Sequence, residues 1–202
     1  MWGLVEDNAI TKIISQPKGI VIGDTRHSRK IFELWSEEEL NNIGIYSVVF
    51  DNSNKKSEAY YINTDQSFAF AGGAVTASYG SPTAKALADT LFTAQDEIDG
   101  KGTEGEVAAR GLKFQHKEIV KQQASSELAN TDWYITRKAD AGTAVPSAVT
   151  THRAAVRTRS NEMETAIDNA ADVDALKALY EYTEQADGSR TRPLGEWPVL
   201  EV

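Results

Sequence analysis

Histidine is the side chain best suited to acid–base catalysis near neutral pH, and it is a common metal ligand. The chain has three histidines, His27, His116 and His152, and each lies in a different predicted element. None has a second histidine at metal-ligand spacing, and the sequence contains no cysteine. We therefore predict no metal site and no cofactor, and we interpret the histidines as structural residues.

Other motifs that could carry chemistry are incomplete. Residues 100–103 (GKGT) have the residue types of a phosphate-binding loop, but Gln95 stands where that loop needs its first glycine. Asp168, Asp172 and Asp174 are spaced like calcium ligands, yet the glycine that the calcium loop needs for its turn is absent. We expect a protein that is not an enzyme and has no catalytic residue. A hydrolase with paired carboxylates remains an open alternative, because Asp and Glu are abundant.

A group of arginines is the clearest candidate for binding a carboxylate. Arg153 and Arg157 are four residues apart on a predicted helix, so they are neighbours on one face. Their guanidinium groups could clamp a carboxylate of a partner, or one within the chain. Asp132 and the acidic stretch after Glu162 are the internal candidates.

Two aromatic residues, Trp133 and Tyr134, follow Asp132 directly. At the end of one predicted helix and before the next, they could pack together and tie the ends of a helical hairpin. We predict a buried aromatic corner there.

The balance of charge restricts the partners. The net charge of −9 argues against sequence-independent binding to nucleic acid or to an anionic membrane, because both need a positive surface. No run approaches the roughly 18 apolar residues of a membrane-spanning helix, and the first residues lack the basic start of an export signal. We expect a soluble chain that does not insert into membranes.

The elements that would position these residues differ between the two halves. Residues 1–80 have short apolar runs separated by turn residues, which is typical of strands in an antiparallel meander. Ser36 and Glu39 form a capping-box pattern that predicts a short helix over residues 37–42. The runs that we expect to be strands are residues 2–5, 10–14, 19–22, 45–50, 59–62, 67–71 and 75–79.

Residues 81–109 are predicted to be a helix followed by a connector. Ser81 and Pro82 have the residue types of a helix start. Apolar residues at positions 87, 91, 94 and 98 then predict about four helical turns. Glycines at positions 100, 102 and 105 predict a flexible connector.

Residues 110–202 are predicted to form a helical domain with an apolar tail. Val149, Val156, Met163 and Ala170 recur every seven residues, which indicates one buried face of a long helix in an antiparallel hairpin. Asp172 is a suitable N-cap for a last helix. The predicted fold class is α+β, with a small antiparallel β-rich domain (1–80), a helix and Gly-rich connector (81–109) and an α-helical domain (110–202).

Several segments resemble a known family. Residues 128–137 (LANTDWYITR), 144–146 (AVP), 153–157 (RAAVR) and 197–199 (WPV) are similar to the C-terminal region of phage tail-fibre-assembly-like proteins. Residues 1–5, 32–36, 43–46 and 60–63 resemble a small N-terminal domain of such proteins from marine phages. The resemblance implies a non-enzymatic phage protein, made in the host cytoplasm, that belongs to the virion tail.

The same resemblance implies a phage tail fibre or another tail protein as the partner. The chain would act as a fibre-assembly chaperone or as a structural component at the tail tip. A homotrimer is expected only by analogy with trimeric fibres. The residues that we single out for partner interaction or structure are Trp133, Tyr134, Arg153, Arg157, Trp197 and Val199.

An alternative function is binding of host-surface carbohydrate by the β-rich half. Aromatic rings can stack on sugar faces, and the same residue types would equally build a hydrophobic core. The candidates are Trp35, Tyr60, Tyr61 and Tyr79.

Overall fold

The computed structural model describes residues 1–201, and it confirms the predicted α+β class. The chain divides into two compact units, Met1–Ala84 and Lys85–Val202. The first unit is built mainly from strands, and the long helices all lie in the second.

A five-stranded sheet forms the centre of the first unit. Its strands, in chain order, are β1 (Trp2–Glu6), β2 (Ala9–Ile14), β5 (Ile45–Asp51), β7 (Gln66–Ala71) and β8 (Ala74–Tyr79). Two short antiparallel pairs accompany it: β3 (Ile20–Ile22) with β4 (Thr25–His27), and β6 (Tyr61–Ile62) with β9 (Thr83–Ala84). Two short helices, α1 (Ile31–Leu34) and α2 (Glu37–Asn41), complete the unit.

The strand order β2-β1-β5-β8-β7 departs from a simple meander, because β5 and β8 run parallel. Val75 and Ala77 of β8, an interior strand between β5 and β7, are fully buried, whereas the residues of the edge strand β7 are half-buried or exposed. Val75 packs so closely against β1 that a side chain at Gly3 would come within 3.0 Å of its Cγ2 atom. The small and β-branched residues of β8 therefore suit an interior strand.

Local signals in this unit behave as predicted. Asp7 and Asn8 both have positive φ angles, 50° and 61°, in the tight turn between β1 and β2. The Ser36 side chain accepts from the Glu39 amide and the Glu39 side chain accepts from the Ser36 amide, so the capping box at the start of α2 is confirmed. The sheet and the helices enclose one core, which consists of Leu4, Ile14, Ile20, Ile31, Leu40 and Ile45.

The predicted helix after Ser81 is wrong. This stretch contains β9, then β10 (Thr90–Leu91), a helix of five residues, α3 (Ala94–Ile98), and β11 (Val107–Ala109). The Thr93 hydroxyl accepts from the Asp96 amide and starts α3 there, far inside the predicted helix. None of residues 85–110 is buried. The apolar residues at helical spacing therefore have no packed surface that would stabilise a long helix.

The second unit is a helical hairpin with additions. Its helices are α4 (Leu112–Ala129), α5 (Asp132–Ala141), α6 (Ser147–Asn169) and α7 (Val173–Ala178), followed by the pair β12 (Thr183–Glu184) and β13 (Arg190–Thr191). Lys117 near the start of α4 pairs with Asp168 near the end of α6 at 2.8 Å, so these two helices are antiparallel as predicted. Asp172 caps α7, also as predicted.

The predicted apolar face of α6 is confirmed. Val149, Val156 and Met163 are all buried, and Ile167 joins them. On α4, Leu112, Val120 and Ala124 face the core, but Ile119 is exposed rather than part of that face.

Candidate protein-interaction surface

The helix α5 begins at a buried polar junction. Thr131 is buried, and its hydroxyl donates to the Leu128 carbonyl at the end of α4. Arg153 of α6 is only 8% exposed and donates from Nη1 to the Leu128 carbonyl (2.8 Å) and to the Thr131 hydroxyl (2.7 Å). The same nitrogen lies 2.7 Å from Oδ1 of Asp132. The arginine therefore fixes the point where α5 leaves the hairpin.

The other two arginines of α6, Arg157 and Arg159, donate to backbone carbonyls outside this junction. Arg157 is exposed and donates to the Arg153 carbonyl at 3.3 Å, and no ion pair joins it to a carboxylate within residues 1–201. Arg159, which the sequence did not single out as a site, donates to the backbone carbonyls of Pro193 (2.8 Å) and Glu196 (2.9 Å). This residue holds the C-terminal segment against α6.

The predicted aromatic corner is not buried. Trp133 is 52% exposed, and its ring stacks on Tyr134 with 4.1 Å between centroids. The reason is that Asp132 starts a new helix, and the first turn of this helix directs Trp133 away from the core. The Arg137 guanidinium lies 5.6 Å from the centre of the Trp133 ring, at the distance of a cation–π contact.

No residue of α5 is buried. Tyr134 is half-buried, and the other nine residues are exposed, including Trp133 and Ile135. A helix of ten residues is marginal in water by itself, and most helices gain their stability by packing an apolar face. Here that apolar face has no partner within the described part of the chain.

The C-terminal segment lies beside the same end of the hairpin. Leu194 is fully buried, and its amide donates to the Leu179 carbonyl at 2.9 Å. Beyond it Trp197 is half-buried, whereas Val199 is 84% exposed. Pro198 and Val199 border a groove of about 360 Å³ along the start of α6, and the buried His152 forms part of its wall.

His152 has an unusual environment in this groove. Its Nδ1 atom is buried and has no hydrogen-bond partner among residues 1–201. The neighbouring Arg153 donates instead to the Leu128 carbonyl and the Thr131 hydroxyl, and Arg157 donates to the Arg153 carbonyl.

Residues 90–109 form a second segment without a buried residue, which we call the arm. The predicted flexible connector is instead a hydrogen-bonded hairpin: Thr90 pairs with Ala109, and Leu91 with Val107. The Phe92 amide donates to the Glu106 carbonyl at 2.9 Å. The Phe92 ring packs on Gly102, where a Cβ atom would be 2.3 Å from the ring.

The base of the arm caps α4. The Leu112 and Lys113 amides, which have no partner inside their own helix, donate to the carbonyls of Ala86 and Leu87, each at 3.0 Å. Asp89 accepts from the Gly111 amide at 2.8 Å and pairs with Arg110 at 2.6 Å. The hydrogen bond from the Gly111 amide lowers the pKa of the Asp89 carboxyl most, and the hydrogen bond from the Arg110 side chain lowers it further. These bonds join the arm firmly to the helical hairpin.

The rings considered for carbohydrate binding lie in mixed surroundings. Tyr61 is buried in the first unit, and Lys56 lies over its ring at 4.5 Å. The Lys55 Nζ atom lies 5.5 Å from the centre of the Tyr79 ring. Tyr60 is half-buried. Trp35 is exposed and contacts His27 edge-on at 5.7 Å. Trp35 is thus the one ring of this set with substantial exposure.

Three of the residues considered for chemistry make structural contacts. Nδ1 of His116 lies 2.5 Å from the Tyr180 hydroxyl. Asp168 pairs with Lys117, and Asp174 lies 3.4 Å from Lys177. Within residues 1–201 no group of three or more His, Cys, Asp or Glu side chains is arranged to hold a metal ion. No helix in the same residues has the length and apolar character to cross a membrane.

Comparison of the chain with protein-family models, with curated proteins and with solved structures finds no match.

Proposed function

We propose that this chain is a non-enzymatic bacteriophage tail protein that binds a tail fibre, or another tail protein, through α5. The observation that carries the proposal is that α5 is a complete helix without a single buried residue. Such a helix gains a packed face only when a partner covers it. The phage assignment is supported by the resemblance described above, whose longest segment, residues 128–137, spans the start of α5.

The composition of α5 suits a protein partner. Tryptophan, tyrosine and arginine are the residue types most enriched at the energetic centres of protein interfaces. Here Trp133, Tyr134 and Arg137 stand together, with the guanidinium already placed against the indole ring. The junction at Arg153 fixes the start of the helix, so little conformational freedom would be lost on binding.

The exposed Val199 offers a second contact near the same end of the hairpin. Trp197 and Val199 belong to a segment that Arg159 holds at its backbone and not at its side chains. The Val199 side chain is accessible and Trp197 is half-buried, while the segment itself stays attached. A fibre segment that covers α5 could extend onto this surface and bury both features.

The test is capture of phage proteins by the tagged chain, together with mass spectrometry of purified particles. We expect the wild-type chain to retain a fibre or tail protein, and Trp133→Ala with Ile135→Ser to abolish retention. Trp35→Ala, which removes an exposed tryptophan from the other unit, is the matched control and should retain the partner. Equal retention by the α5 variant and the wild type would refute the assignment of α5.

Particle composition separates the two forms of the proposal. Presence in particles at a fixed ratio to a tail protein would indicate a structural role. Binding to the fibre together with absence from particles would indicate a chaperone. If the chain neither binds a tail protein nor occurs in particles, the phage tail function is wrong.

A further inference from the structure

The arm has the features of an interface that lacks its partner. Its hydrogen bonds are satisfied internally, and its base is attached to α4, so it does not need a partner to hold its shape. Nevertheless its large aliphatic side chains point into solvent: Ile98 is 78% exposed, and Leu91 and Val107 are exposed as well. Leu91 and Val107 are cross-strand partners, so their side chains lie together on one face of the hairpin.

The charge of the arm restricts what can cover this apolar face. Residues 90–109 contain five acidic side chains and one lysine, a net charge of −4. That lysine, Lys101, is already engaged by Asp96 at 3.1 Å and by Asp99 at 3.0 Å. Glu104 and Glu106 stay exposed at the turn and beside Val107. A partner must therefore combine apolar side chains with positive charge.

The helix α5 has this combination. Arg137 and Lys138 are exposed on it, and neither pairs with a carboxylate within residues 1–201. Arg137 lies one helical turn from Trp133, and Lys138 lies one turn from Ile135; because Trp133 and Ile135 are two residues apart, they point to different sides of α5. Asp132, the acidic residue at the start of the helix, is neutralised by Arg153. Asp140 is exposed on the same helix, so Arg137 and Lys138 together with Asp140 give α5 a net charge of +1 outside the Asp132–Arg153 pair, within a chain of net charge −9.

We propose that the arm of one copy of this chain docks on α5 of a second copy. Leu91, Ile98 and Val107 would pack against Trp133, while Glu104 and Glu106 meet Arg137, one turn further along the same face, and Lys138 beside it. The contact joins two different surfaces, so it closes when two copies exchange arms reciprocally or when several copies form a ring. This inference rests on the proposed role of α5 as a protein-binding surface, and it names one partner of that surface.

The experiment measures the mass of the purified full-length chain by sedimentation over a concentration series. We expect wild-type mass to rise to at least twice the 22.1 kDa of one chain. Two charge-reversed variants, Glu104→Lys/Glu106→Lys in the arm and Arg137→Glu/Lys138→Glu in α5, should each remain monomeric. Glu37→Lys/Glu38→Lys, the same charge change on α2, is the matched control and should assemble like the wild type.

Mixing the two reversed variants is the decisive step. In an equimolar mixture each reversed arm faces a reversed α5 of opposite charge, so assembly should return. A monomeric wild type, reversed variants that still assemble, or a mixture that stays monomeric would each overturn the proposal. Circular dichroism verifies that both variants keep their helices, and Val107→Ser tests the same contact without a change of charge if one does not.

Fibre capture distinguishes failure of this inference from failure of the proposed function. The arm variant keeps α5 intact, so it should still capture the fibre although it cannot self-associate. A monomeric wild type that captures the fibre would refute the arm contact and leave the tail function in place. A wild type that self-associates, together with a monomeric arm variant whose uncovered α5 captures no tail protein, would refute the tail function and leave the arm contact in place.

Discussion

At the scale of single residues, Arg153 is the side chain on which the geometry of α5 most depends. Its buried guanidinium donates hydrogen bonds to the Leu128 carbonyl and to the Thr131 hydroxyl, both at the junction of two helices. The pair with Asp132 adds less, because that carboxylate is 59% exposed and screened by water. The stabilising contribution therefore comes mainly from hydrogen bonds to buried groups.

We expect Arg153→Ala to lower the free energy of unfolding by about 2 to 3 kcal/mol, because buried acceptors lose a charged donor. Urea denaturation followed by helical circular dichroism measures the change. Arg157→Ala is the matched control four residues away, and its effect should stay within about 0.5 kcal/mol, as is usual for exposed residues. Equal effects of the two substitutions would contradict this account of the junction.

His116 gives the helical unit a pH dependence. Burial lowers the pKa of His116 below its ordinary 6.5, and the neutral ring contacts the Tyr180 hydroxyl. The unfolded chain consequently binds the proton more readily than the folded chain does. His116 therefore does not change the free energy of unfolding well above pH 6.5, where the ring is neutral in both states. The free energy of unfolding declines as the pH falls below 6.5, because the unfolded chain then takes up the proton first.

The expected result is a fall in the midpoint of urea unfolding between pH 7 and pH 5 that is weaker in His116→Gln. Carboxylates with lowered pKa values, such as that of Asp89, act at more acidic pH and do not obscure this range. His27→Gln serves as the control, in the other unit of the chain. An unchanged pH profile in His116→Gln would show that another group titrates.

At the scale of elements, the attachment of the arm to α4 is the feature most sensitive to a small substitution. Gly111 precedes α4, and a Cβ atom there would lie 2.3 Å from the Ala88 carbonyl oxygen. We expect Gly111→Ala to destabilise the helical unit by about 1 to 3 kcal/mol, since the backbone must shift. The same shift would disturb the bond from the Gly111 amide to Asp89.

Thermal unfolding of Gly111→Ala beside Gly19→Ala measures this effect. A Cβ atom at Gly19 would meet the His27 carbonyl oxygen at 3.6 Å, an ordinary contact distance. The Gly19 variant should therefore unfold close to the wild-type temperature. If Gly111→Ala did the same, the base of the arm would be more adaptable than its close contacts indicate.

At the scale of the whole molecule, the net charge of −9 determines which polymers the chain can approach. We expect no detectable binding to a random DNA duplex at physiological salt, because the chain cannot release enough counterions. Fluorescence anisotropy of a labelled duplex at two salt concentrations measures this. Salt-sensitive binding would reveal a positive surface strong enough to overcome the overall charge.

Prediction from sequence succeeded where the signal was local. The capping box at Ser36, the cap at Asp172 and the seven-residue recurrence of Val149, Val156 and Met163 all correspond to observed structure. Caps depend on residues three positions apart, and recurrence depends on the pitch of one helix. Asp132, proposed from sequence as an internal partner of the arginines, does lie beside Arg153.

The sequence by itself therefore determined the class of the fold, the helical hairpin and the helix caps. Only the tertiary structure decided that β8 lies between β5 and β7, that residues 90–109 fold into an arm, and that Trp133 faces solvent. The physical reason is common to all three. Apolar spacing shows which side of an element could be buried, but burial requires a second surface, and distant parts of the chain decide whether that surface is there.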